Sequence, residues 1–142
     1  MPGHLTLVGT PIGNLSDFSP RALQALQDCD FIAAEDTRVT MNLLNHFEIR
    51  KPLVSYYEHN KRQRGGEILS RLQAGESAVL VTDAGMPAIS DPGEELVALC
   101  HDVNIKVCLE GVETPEEYEA VRHMRLDYIQ GYLFGRPVPG EE

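Results

Sequence analysis

Four short stretches of this 142-residue chain bring together residue types that could do chemistry. In Tyr56-Tyr57-Glu58-His59-Asn60, followed by Lys61-Arg62-Gln63-Arg64, a histidine with an ordinary pKa of ~6.5 could serve as a general base. Aromatics beside a basic cluster could stack a nucleobase and hold a phosphate. The same residues also describe a solvated helix face carrying a surface histidine, and composition alone favours that. Glu35-Asp36-Thr37-Arg38 sets two adjacent carboxylates beside an arginine, which suits a hydroxylated or cationic ligand and equally suits the acidic start of a helix. In Gly9-Thr10-Pro11-Ile12-Gly13-Asn14 two glycines four apart allow a tight turn and close backbone approach to a ligand. This stretch is neither a P-loop nor GxGxxG, and a plain strand-to-helix turn accounts for it as well. Asp83-Ala84-Gly85-Met86-Pro87-Ala88-Ile89-Ser90-Asp91-Pro92-Gly93 is longer than a turn needs. Its small residues and flanking aspartates suit the wrapping of a small polar ligand.

Each of these stretches follows an apolar run rich in β-branched or aromatic residues: Leu5–Gly9, Phe31–Ala34, Leu53–Tyr57 and Ala78–Thr82. Two further runs occur at Ile105–Leu109 and Tyr128–Phe134. Between them, apolar residues recur at three- and four-residue spacing. Ser19-Pro20 opens a first helix facing inward through Leu23 and Leu26. Thr37 or Thr40 caps a second with the stripe Met41, Leu44 and Phe47, and Ile68, Leu69 and Leu72 form a third ending at Gly75. Asp91-Pro92 opens a fourth with Leu96, Val97 and Leu99 inward, and Thr114-Pro115-Glu116-Glu117 opens a fifth with a capping box. The alternation predicts an α/β fold, a three-layer sandwich with a mainly parallel sheet of five or six strands. Ligands in such sheets bind outside the carboxyl ends of the strands, where all four stretches fall. The tail Gly135–Glu142 is expected to fray.

Composition narrows the function classes. With 42% apolar and 24% charged residues the chain is globular, and a net charge of −10 disfavours nucleic-acid binding by charge alone. Six of its twelve basic residues nevertheless lie between Arg50 and Arg71. Cys29, Cys100 and Cys108 form no CxxC pair and leave one over, which fits a reducing compartment. There is no basic n-region, and no apolar run reaches the ~18 residues of a membrane span. A cytoplasmic protein without a membrane contact is expected.

The stretches Leu7 to Leu15, Ala34 to Arg38, Ser55 to Asn60 and Thr82 to Gly93 closely resemble the ribosomal small-subunit methyltransferase I family. That family has the tetrapyrrole-methylase fold and methylates a cytidine ribose 2′-hydroxyl in 16S ribosomal RNA with S-adenosylmethionine. By this resemblance Gly9, Thr10, Pro11, Gly13, Asp83, Ala84, Gly85, Met86 and Ile89 bind the cofactor. The regions Glu35 to Arg38 and Tyr57 to Asn60 face the reacting ribose, with Glu35, Asp36 and His59 as catalytic candidates. Ribosomal RNA is the implied partner.

Family members are roughly twice this length, with a second α/β domain that closes the cleft. Where the family has a proline- and glycine-rich turn after its fifth strand, Lys106 to Thr114 and later Asp127 to Pro137 instead resemble the last two strands and intervening helix of EAL-type cyclic-di-GMP phosphodiesterases. In those enzymes the positions matching Glu110 and Gln130 belong to a metal-containing site whose other parts have no counterpart here. No metal site and no diesterase activity are therefore expected. The chain reads as a chimera joined between Glu95 and Val107, with residues 1–104 methyltransferase-like and 105–142 a strand–helix–strand segment packed on the same domain. It is expected to lack full activity unless a homodimer partner supplies the missing wall. The alternatives are a non-catalytic module binding a ligand or RNA, and an inactive remnant.

Overall fold

The computed structural model describes residues 3–9, 20–82, 91–110, 128–130 and 138–139. Their elements run β1 (His4–Gly9), α1 (Pro20–Asp28), β2 (Phe31–Ala34), α2 (Thr37–His46), β3 (Leu53–Ser55), α3 (Lys61–Gln73), β4 (Ala78–Thr82), α4 (Asp91–Asp102), β5 (Lys106–Glu110), β6 (Tyr128–Gln130) and β7 (Val138–Pro139). One sheet holds all strands in the order β3-β2-β4-β1-β5-β6-β7. Every pairing is parallel except β6 with β7. The expected mainly parallel sandwich is thus present, with one strand more than foreseen. That strand falls in the tail expected to fray, where Val138 pairs with Ile129 and Pro139 with Tyr128.

Strand alternation explains the two cores. Leu5, Leu7, Phe31, Ala33, Leu80, Val107 and Leu109 point to one face, where α3 and α4 bring Ile68, Leu72, Leu96, Val97 and Cys100. Val8, Ile32, Val79 and Val81 point to the other, against Ala22 and Leu26 of α1 and Leu43 and Leu44 of α2. Because both faces are covered, the central strands are near-continuous apolar runs rather than alternating ones.

Local details refine several expectations. Asp36, not a threonine, caps α2, its carboxylate accepting from the Arg38 and Val39 amides. The inward stripe of α2 is Thr40, Leu43 and Leu44, and Met41, a residue off that face, is 45% exposed. In α4 the inward residues are Leu96, Val97 and Cys100, whereas Leu99 is 38% exposed and turns toward α3 beside Gly65. β3 stops at Ser55, although the Tyr56 amide still donates to the Ala34 carbonyl. Gly75, at φ 105, ends α3 as expected: its amide bonds the Leu72 carbonyl and that of Glu76 bonds Arg71, a Schellman pattern. The fifth helix expected from Thr114 lies outside the described residues.

Candidate functional site

The neighbouring strands β1 and β4 send their connections to opposite faces of the sheet, α1 packing on one and α4 on the other. From β1 the chain crosses through α1 to β2 on one side, and from β4 it crosses through α4 to β5 on the other. β1 and β4 are neighbours, and their last residues, Gly9 and Thr82, are register partners. Helices that follow adjacent strand ends and pack on opposite faces leave a crevice between them, the usual ligand position in open α/β sheets. Both stretches assigned to the cofactor begin there. Gly9 itself is the half-buried last residue of β1. Thr10, Pro11, Gly13, Asp83, Ala84, Gly85, Met86 and Ile89 lie outside the described residues.

The three catalytic candidates share this carboxyl edge. Glu35 and Asp36 follow β2, next to β4, and His59 follows β3, one strand further out. Strand spacing of about 4.8 Å puts the end of β2 about 10 Å from that of β1, and the end of β3 about 14 Å away. Asp36 is committed to its cap, with Arg38 Nε 3.7 Å away. His59 is exposed and meets the Tyr57 ring edge-on, with centroids 6.0 Å apart and planes at 69°.

Asn60 builds the turn that carries His59. Its Oδ1 accepts from the Tyr57 amide at 2.7 Å, and its Nδ2 donates to the Ser55 carbonyl at 3.1 Å and to Ser55 Oγ at 3.0 Å. Although Asn60 occupies the N-cap of α3, its side chain reaches back into the turn instead of forward to the helix. Lys61 then bridges Glu58, at 3.1 Å, and Glu95 of α4, and both carboxylates raise its pKa. Tyr56 sits beneath, buried, its hydroxyl pKa raised by that burial. The type and place of Asn60 give no local sign of its pinning role, and the Lys61–Glu95 tie spans 34 residues with no local signal.

The basic segment is less available than composition suggests. Arg64 pairs with Glu67, Arg71 pairs with Glu76 while lying 3.8 Å from the Phe31 ring centre, and Lys61 is engaged as above. Among the described residues Arg50, Lys51 and Arg62 make no ion pair. Arg50 and Lys51 border a cavity of about 390 Å³ with Met41, Leu44, Ile49 and Pro52.

Residues 4–108 match the family of tetrapyrrole (corrin/porphyrin) methylases. The chain belongs to that family. Residues 93–137 match the EAL domain, overlapping the first match at α4 and β5. The chain is 58% identical over 105 residues to the ribosomal RNA small subunit methyltransferase I of Synechocystis sp., covering 74% of this chain and 38% of the relative. It is 51% identical over 105 residues to that of Pseudomonas aeruginosa (74% and 37%) and 53% identical to that of Thermotoga maritima (74% and 47%). The chain therefore spans less than half the length of these relatives.

Among solved structures, diphthine synthase superposes with a TM-score of 0.61 at 18% identity, covering 75% of this chain and 43% of that one. The uroporphyrin-III-C-methyltransferase of Thermus thermophilus gives 0.60 at 16%, covering 77% and 47%. A de novo designed protein with a P-loop NTPase fold gives 0.53 at 14%, but covers 92% of this chain and 82% of its own. These likenesses concern the fold.

Proposed function

We propose that the crevice at Gly9 and Thr82 is the S-adenosylmethionine-binding half of a methyltransferase acting on the ribose of ribosomal RNA. The observation that carries this is the register of Gly9 with Thr82 at adjacent strand ends whose following helices pack on opposite faces of the sheet, and both assigned stretches begin there. Gly9, Thr10, Pro11, Gly13, Asp83, Ala84, Gly85, Met86 and Ile89 would hold the cofactor. The residue types would suit it: a strand ending in glycine admits close backbone approach, and Asp83, next after Thr82 in the sequence, would offer a carboxylate for ribose hydroxyls. When bound, S-adenosylmethionine supplies a methyl group activated on sulfonium sulfur.

The chain's own residues have separate tasks. His59, on its pinned turn, and Glu35 are the candidates to take the 2′-hydroxyl proton, while Asp36 holds the start of α2. Tyr57 and His59 offer an aromatic edge to a nucleobase. Alignment for transfer must hold to within about 3–3.5 Å, which one half of a cleft does not provide. This stretch alone is thus expected to bind without full turnover, and a homodimer is the arrangement in which a second copy supplies the other wall. We take residues 105–142 as a segment of separate origin added to the 1–104 unit, supported by the overlapping matches and by β6 pairing in parallel beside β5. Cytoplasmic location follows the same reading.

The test is filter binding of radiolabelled S-adenosylmethionine. Saturable retention that weakens at least about tenfold in Asp83→Ala and Gly85→Val is the expected result, and retention indifferent to both changes refutes it. A non-catalytic RNA-binding module, favoured by Arg50, Lys51 and Arg62, which make no ion pair among the described residues, would instead show salt-steep RNA binding that survives those changes.

A further inference from the structure

A cavity of about 320 Å³ lies between α1 and the β1–β5 pair, and Gly9, Thr82, Glu35 and His59 take no part in its lining. Strand alternation sends Thr6 and its register partner Cys108 into it, together with Glu110, the partner of Val8. From α1 come Arg21, Ala25 and Asp28. Glu110 is 5% exposed, and among the described residues no hydrogen-bond donor reaches its carboxylate, on which the Arg21 guanidinium acts as a charge. Other polar groups of the cavity have partners: Asp28 Oδ1 accepts from Gln24 Nε2 at 2.8 Å, and His4 Nδ1 lies 3.1 Å from Ser77 Oγ. A buried carboxylate without donors is costly, and a ligand that brings donors recovers that cost.

We propose that this cavity binds a small organic cation, an aliphatic ammonium whose N–H groups donate to Glu110 while its carbon chain lies against Ala25 and Val79. The volume lies at the lower end of small-ligand sites. Ala25, Ala78 and Val79 give it an apolar lining, and its two carboxylates outnumber the single guanidinium. A bare metal ion fits less well, because among the described residues no three His, Cys, Asp or Glu side chains are arranged to hold one. An ammonium needs one carboxylate and an apolar wall, which this cavity supplies. The chain's net charge of −10 also concentrates cations near it. This site is independent of methyl transfer at the other crevice.

The experiment titrates the full chain with n-butylammonium chloride at constant ionic strength, following amide chemical shifts, with n-butanol as the neutral isostere. Saturable shifts at Thr6, Ala25 and Cys108 are expected, weakened about tenfold or more in Glu110→Gln and absent with n-butanol. Should Glu110→Gln perturb the fold, Ala25→Leu fills the cavity while keeping the charge, and must abolish the same shifts. Equal affinity in the variants, equal response to n-butanol, or unsaturable shifts spread over the acidic surface overturn the proposal.

Discussion

Glu110 is held out of water at the end of β5, and burial pushes its carboxyl from an ordinary 4.5 up to about 7, with Arg21 opposing the shift. The sign follows from the direction. Folding favours the protonated form, so this contribution to stability is fully present below about 4.5 and is lost as pH rises through about 7. Glu110→Gln, which stays neutral, should match the parent at low pH and be more stable at pH 8 by about 2–3 kcal/mol in urea unfolding. A gap independent of pH would contradict the assignment. At the other end of the sheet, Asn60 uses both ends of its amide to fasten the Tyr57–His59 turn. Asn60→Ala should cost about 1–2 kcal/mol and release the turn. Asn60→Asp, which keeps the acceptor for the Tyr57 amide, should lose less. Equal losses would mean that the acceptor does not matter.

The elements α3 and α4 share one core and touch at Leu99 and Gly65. Gly66, beside that contact, faces open space, with nothing within 4 Å of where a Cβ would stand. Gly66→Ala should therefore stabilise by about 0.5–1 kcal/mol through helix propensity alone, read as a raised urea midpoint. Periodicity made the helices legible, but their rotation was legible only in part. Leu26, Leu72 and Leu96 face inward as spacing predicts, whereas Met41 and Leu99 do not, because a four-residue repeat in a short helix fits two adjacent faces and the neighbouring layer decides between them. Asp36 carries a similar lesson. Its type and place fitted both a reacting carboxylate and the acidic start of a helix, with the cap expected at Thr37 or Thr40, and the backbone amides of Arg38 and Val39 show Asp36 itself capping. The Lys61–Glu95 tie was illegible, since long-range pairs leave no local pattern.

For the whole molecule, the parallel sheet and its crevice were readable because strand, helix and loop chemistry agreed along the chain. The antiparallel β7 was not, since two residues flanked by glycine and proline carry no strand signal. Met41 of α2 is 45% exposed and borders the cavity of Leu44 and Ile49, an apolar surface suited to self-association. Sedimentation equilibrium should show a dimer that Met41→Glu shifts toward monomer, and a monomer at all concentrations would remove the homodimer from the account. Among the described residues no helix is long and apolar enough to cross a membrane.

The central claim is that the crevice at Gly9 and Thr82 is a cofactor half-site, and calorimetric titration with S-adenosylhomocysteine tests it most directly because no turnover is needed. The account predicts saturable heat with micromolar affinity, about −8 kcal/mol. No heat at millimolar ligand, with the chain cooperatively folded, would contradict it and leave family membership as a statement of ancestry alone.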